Sequence, residues 1–204
     1  MNAVLYGHGK GGNGGEAEHY KLLFPSCYVV GLDYKGNTPW EAGAEINEAI
    51  VSLKTSYDRV ILIANSIGAF FCMDAGVNEL IWKAYFISPI VDLEKLILDM
   101  MAHADITESE LHKQGIIQMD SGEELSWEYL SYVREHPIKW TVPTEILYGD
   151  KDNLTTYETI TGFSRKHNAR LTVMKNGEHW FHTEKQMRFL DDWIGCNIQR
   201  YSVH

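Results

Sequence analysis

At 204 residues, with 45% hydrophobic and 23% charged residues, the chain has the make-up of a single globular domain and argues against intrinsic disorder. Its formal charge of -10, with no run of Lys and Arg, offers no electrostatic footprint for a nucleic acid. No apolar stretch reaches the length of a membrane span, and Met1–Tyr6 lacks the charged flank and length of a signal peptide, so a cytoplasmic location is expected.

Along the chain, short apolar runs alternate with helical patterns. Ala3–Tyr6 reads as a strand, Glu16–Leu23 as a helix closed by Pro25, and Tyr28–Leu32 as a second strand. Thr38-Pro39-Trp40-Glu41 opens a helix, with Thr38 as N-cap, Pro39 at the first helical position and Glu41 completing a capping box. Val60–Ile63 is a third strand, followed by a helix from Ser66 through Ala75, and Ala84–Ile87 is a fourth. Glu145–Tyr148 and Leu171–Met174 are the last strands, with helices predicted over Thr155–Lys166 and Thr183–Ile194. Continuous apolar strands separated by helices predict an α/β fold with a mostly parallel sheet of about six strands and helices on both faces. Between Leu93 and Trp140 no strand signal appears, and two or three helical patterns fill a gap too long for an ordinary connection. This segment is read as a helical cap insertion (93–140) in a single domain. Its Met100, Met101 and Trp127 are candidates either for packing or for lining an apolar substrate.

The most informative stretch is Val60-Ile61-Leu62-Ile63-Ala64-Asn65-Ser66-Ile67-Gly68-Ala69. A buried strand runs into a helix with Ser66 at the apex, and Ala64 and Gly68 keep the crowded positions on either side small. A serine here also suits an ordinary helix N-cap, so its partners must decide. Two later strand ends supply them. Glu145–Tyr148 leads into Gly149-Asp150-Lys151-Asp152, and the last strand leads into Asn176-Gly177-Glu178-His179-Trp180-Phe181-His182.

These three segments resemble the nucleophile elbow, acid turn and histidine turn of the α/β-hydrolases, in the order that the family uses. The elbow departs from G-x-S-x-G in having Ala64 for the first glycine. The resemblance implies Ser66 as nucleophile, His179 as base and Asp152 as the acid that orients it. Asp150 is the rival acid and Asp92 a more distant one, while His182 is the weaker candidate for the base. The His8-Gly9 turn after the first strand implies an oxyanion hole built from the backbone amides of Lys10 and Ile67. The implied activity is hydrolysis of a carboxylic ester, or a related acyl bond, in a small and apolar substrate. No metal or organic cofactor is implied.

Gly7, Gly9 and Gly12 also spell G-x-G-x-x-G after a strand, with Asp33 at the end of the next, which makes a dinucleotide-binding oxidoreductase the alternative. Clustered glycines at Gly14 and Gly15 disfavour the α-helix that such a site needs. A third possibility is a hydrolase-fold protein that binds a ligand without catalysis. Cys27, Cys72 and Cys196 lack metal-ligand spacing, and three buried free thiols are expected.

Overall fold

The computed structural model describes residues 1–120 and 122–199. In chain order, β1 (Asn2–Gly7) is followed by a 3-10 segment (Gly14–Leu22), β2 (Cys27–Leu32) and α1 (Pro39–Ser56). Next come β3 (Val60–Asn65), α2 (Ile67–Asp74), a short 3-10 turn (Asn78–Leu80) and β4 (Ile81–Ile87). α3 (Leu93–His103), α4 (Glu108–Gln114), β5 (Ile116–Gln118), β6 (Glu124–Ser126) and α5 (Trp127–Glu135) then precede β7 (Thr144–Gly149). α6 (Tyr157–Lys166), β8 (Arg170–Met174) and α7 (Glu184–Gln199) complete the described chain.

Six strands pair in the order β2-β1-β3-β4-β7-β8, all parallel, as the apolar runs predict. Val4, Tyr6, Ile61, Ile63, Tyr85, Ile87 and Leu147 pack on one face against Tyr20 of the 3-10 segment, Phe24, and Leu190, Trp193 and Ile194 of α7. α1 and α2 pack on each other and on β1 and β3. α2 carries Phe70, Phe71, Cys72 and Met73 in succession, all buried, so it is enclosed on every side. Because the sheet is parallel, all six carboxyl ends lie along one edge, and the order reverses between β1 and β3. That switch point is where open α/β sheets place ligands.

By contacts the chain forms two compact units. One comprises Met1–Val91 and the chain from Trp140 onward, and the other comprises Asp92–Lys139. In the smaller unit α3 packs on α5, and Arg134 of α5 holds Glu94 at 2.7 Å and Glu108 at 2.7 Å. Its buried side chains include Leu93, Ile97, Met101, Leu111, Leu125 and Leu130.

Several local expectations need correction. Gly14–Leu22 winds as a 3-10 segment in place of an α-helix, with Asn13 and Glu16 forming its capping box. In the stretch without strand signal, β5 and β6 pair antiparallel. At three residues each, they are too short to show an alternation. Glu41 gives its carboxylate to the Thr38 hydroxyl and the Asn37 amide, so it braces the α1 cap without closing the reciprocal box. Only Cys72 of the three free thiols is buried; Cys27 is half-buried and Cys196 exposed. β4 begins three residues before the predicted strand and includes Lys83, whose ammonium lies 3.2 Å from Glu145 of β7 with both side chains buried.

Candidate active site

β3 ends at Asn65 and α2 begins at Ile67, leaving Ser66 between them at φ 50° and ψ -124°. Such a φ is strained for a residue with a Cβ and persists only where neighbours hold it. Here the Ser66 amide donates to the Ile87 carbonyl at 3.1 Å, and its own carbonyl accepts from Ile90 at 3.0 Å. The hydroxyl makes no capping bond to α2, so the serine does not serve as a helix cap. The turn instead presents Oγ to the Nε2 of His179 at 2.7 Å.

His179 Nδ1 lies 2.8 Å from Asp152 Oδ2. A carboxylate only accepts, so Nδ1 carries the proton and Nε2 is left to accept from the serine hydroxyl. Asp152 is fully buried at its side chain, and His179 is 14% exposed. The second carboxylate oxygen of Asp152 accepts the amides of Leu154 at 2.8 Å and Thr155 at 3.0 Å. With three donors on it, this buried carboxylate has one orientation, and that orientation faces the imidazole. The turns carrying Asp152 and His179 are packed backbone to backbone. A Cβ on Gly149 would come within 2.3 Å of the Gly177 carbonyl, and Lys151 donates to that carbonyl at 2.8 Å.

No family model matches this sequence, and no curated protein matches it. Solved structures do. Est1E from Butyrivibrio proteoclasticus with ferulic acid bound superposes with a TM-score of 0.75 at 16% identity, covering 100% of this chain and 90% of that one. Mouse alpha/beta hydrolase domain-containing protein 10 gives 0.72 at 17% identity, with coverages of 97% and 90%. An esterase from Pyrococcus furiosus gives 0.64 at 20% identity, with coverages of 98% and 81%. The chain has the α/β-hydrolase fold.

In this hydrolase fold the loop after β1 borders the serine. A Cβ on Gly9 would stand 3.1 Å from Ser66 Cβ and 3.8 Å from its Oγ, so Gly9 runs beside the hydroxyl. Lys10 follows in an exposed turn, and Ile67 is the first residue of α2, where an amide has no acceptor within the helix. The need for glycine at position 68 comes from this same loop. A Cβ there would stand 2.2 Å from the His8 carbonyl oxygen and 2.9 Å from that of Gly7, so the crowding arises from the end of β1 and the loop after it rather than from β3 meeting α2. Asp33 accepts the Gly14 amide at 2.8 Å, which holds its carboxyl below the usual range and ties the glycine loop to the end of β2. That loop feeds a 3-10 segment, whereas a dinucleotide site needs the N-terminus of an α-helix.

The other candidates fall outside the relay. Asp150 accepts the Asn176 amide, and Asp92 caps α3 through the Lys95 amide at 2.9 Å. His182 is exposed, with Nδ1 2.8 Å from the Trp180 carbonyl and its ring stacked on the Trp180 indole. Met100, Met101 and Trp127 lie in the smaller unit. Met101 is buried, Met100 is half-buried, and Trp127 meets His112 edge-on at 4.5 Å. Thr155 has no mark in the sequence. It donates its amide to Asp152 and its hydroxyl to the Pro89 carbonyl at 3.3 Å, and it accepts from the Tyr148 hydroxyl at 2.8 Å. It thereby links the acid turn to the segment that braces Ser66. Burial and the carboxylates of Asp152 and Asp150 push the Tyr148 phenol up, so it stays protonated and donates.

Proposed function

We propose that this chain is a serine hydrolase that cleaves a carboxylic ester. The observation that carries the reading is the unbroken series from Ser66 Oγ to His179 Nε2 and from His179 Nδ1 to Asp152 Oδ2, at 2.7 and 2.8 Å. A hydroxyl is a poor nucleophile near neutral pH, and this series removes its proton as it attacks. Ser66 adds to the ester carbonyl, His179 takes the proton, and buried Asp152 stabilises the imidazolium. The oxyanion is received by the amides of Lys10 and Ile67. His179 then protonates the leaving alcohol, and a water deprotonated by the same imidazole releases the acid from Ser66.

Two similar structures support acyl chemistry: the Pyrococcus furiosus protein is an esterase, and Est1E holds ferulic acid, an aromatic carboxylic acid. Leu154 and Tyr157 follow Asp152, Trp180 follows His179, and all three are exposed. These exposed apolar groups, close in the chain to Asp152 and His179, favour an apolar substrate.

The test is a panel of p-nitrophenyl esters of graded chain length, run beside amide and thioester analogues on the wild type and Ser66→Ala. Ester turnover by the wild type, lost by about three orders of magnitude or more in the variant, is the expected result. Equal turnover in the two proteins would remove Ser66 from the reaction.

A further inference from the structure

The loop after β1 is held by contacts that the hydrolytic scheme alone leaves unused. His8 is 8% exposed, although it carries an imidazole, and lies against Tyr34 with ring centroids 4.1 Å apart and planes 5° from parallel. The Tyr34 hydroxyl donates to the His8 carbonyl at 2.5 Å, so one side chain grips both ends of His8. Tyr34 is itself buried and packs edge-on against Phe71 of α2 at 5.8 Å. His8 Nδ1 lies 2.8 Å from the Gly9 carbonyl oxygen, which also accepts the Gly12 amide at 3.1 Å. A carbonyl can only accept, so Nδ1 is the protonated nitrogen.

The consequence follows from peptide planarity. In a trans peptide the carbonyl of one residue and the N–H of the next point in opposite directions within one rigid plane. Two donors that fix the Gly9 carbonyl therefore also fix the Lys10 N–H, and the Gly9 that shares this peptide lies beside Ser66. We propose that His8 and Tyr34 are positioning residues that aim the Lys10 amide at the oxyanion. This rests on the reading of Ser66 as nucleophile. His8 supplies the bond that sets the peptide plane. Tyr34 holds the imidazole in place and locks the preceding peptide through its hydroxyl.

The experiment compares His8→Phe, His8→Asn and Tyr34→Phe with wild type and Ser66→Ala on the best p-nitrophenyl ester, after circular dichroism confirms folding. Phenylalanine keeps the stack and removes the donor; asparagine keeps a donor and removes the stack. A misaimed amide weakens an interaction made only in the transition state, so kcat and kcat/KM fall together while KM holds. For His8→Phe the expected fall in kcat is about 10- to 100-fold with KM within about twofold, short of the loss of a whole donor. His8→Asn should recover most of kcat, and Tyr34→Phe should fall by about three- to tenfold. Folded His8→Phe with wild-type kcat, or His8→Asn no better than His8→Phe, overturns the proposal. Should His8→Phe fail to fold, a wild-type kcat in Tyr34→Phe overturns it. An active wild type, a dead Ser66→Ala and an unimpaired His8→Phe would sink the positioning role alone. An undiminished Ser66→Ala would sink the nucleophile reading and this proposal with it.

Discussion

Asp150 Oδ1 accepts the backbone amide of Asn176 at 2.6 Å, joining the turn after β7 to the turn after β8. Asn176 has φ 60°, a left-handed conformation that needs such support. The carboxylate two residues before Asp152 thus holds the segment that carries His179 without touching the imidazole. Its role requires an acceptor and no charge. Asp150→Asn should keep ester turnover near the wild-type value, whereas Asp150→Ala should lower it by about tenfold. Equal losses in the two variants would show that charge matters at this position.

Asp152→Asn should behave differently. An asparagine can still accept the Leu154 and Thr155 amides through its oxygen, but its NH2 then faces His179 Nδ1, a donor against a donor. The imidazole must shift its proton to Nε2, which leaves no base for Ser66. Turnover should fall by about 10⁴ with little change in Tm, measured by steady-state kinetics and thermal unfolding. A fall of only a few-fold would contradict the tautomer argument.

Two glycines should respond in opposite directions to the same change. Gly68→Ala puts a methyl 2.2 Å from the His8 carbonyl and should cost about 1–3 kcal/mol and most of the activity. Gly162 lies within α6 with nothing inside 4 Å of its Cβ position. Gly162→Ala should stabilise the fold by about 0.5–1 kcal/mol through helix propensity. Urea unfolding reads both.

The buried Lys83–Glu145 pair gives a stability test remote from the chemistry. Lys83→Met takes away the ammonium that faces the Glu145 carboxylate in the core, leaving Arg170 at 3.8 Å from it, and should cost about 3–5 kcal/mol. Adding Glu145→Leu should restore much of that loss in the same urea titration, because burying two apolar groups avoids desolvating charge.

Burial pushes the Cys72 thiol up to about 12, so its thiolate is scarce at pH 8, while Cys196 is exposed. An aromatic disulfide reagent should label Cys196 within minutes in the folded protein and spare Cys72 until denaturant is added. Labelling both at equal rates in buffer would show that the α2 core opens readily.

The fold was readable because each main strand is an apolar run bounded by a helix, and Ser66, Asp152 and His179 each follow such a run. The strand end alone suits Asp150 and Asp152 equally, and the preference for Asp152 comes from the α/β-hydrolase resemblance. Other features were hidden because they depend on partners far away in the chain. Lys83 interrupts the apolar pattern of β4, and its burial becomes tolerable once Glu145 of the neighbouring strand faces it. Tyr34 directly follows Asp33, the residue the glycine loop drew attention to, yet its stacking on His8 needs β1 and β2 laid side by side. Thr155 reads as the ordinary first residue of a predicted helix, whereas the helix begins at Tyr157 and Thr155 bonds to Asp152, Tyr148 and Pro89.

The contacts at Gly68–His8 and Gly149–Gly177 also bear on how this protein could change its substrate. At both places one stretch of main chain lies directly on another, so neither seam tolerates even a single added carbon. A new selectivity would therefore have to arise at neighbouring side chains that point outward, such as those of Leu154, Tyr157 and Trp180, while the seams stay as they are. The groups proposed to react and the groups free to diversify are a few residues apart in the chain but under opposite constraints.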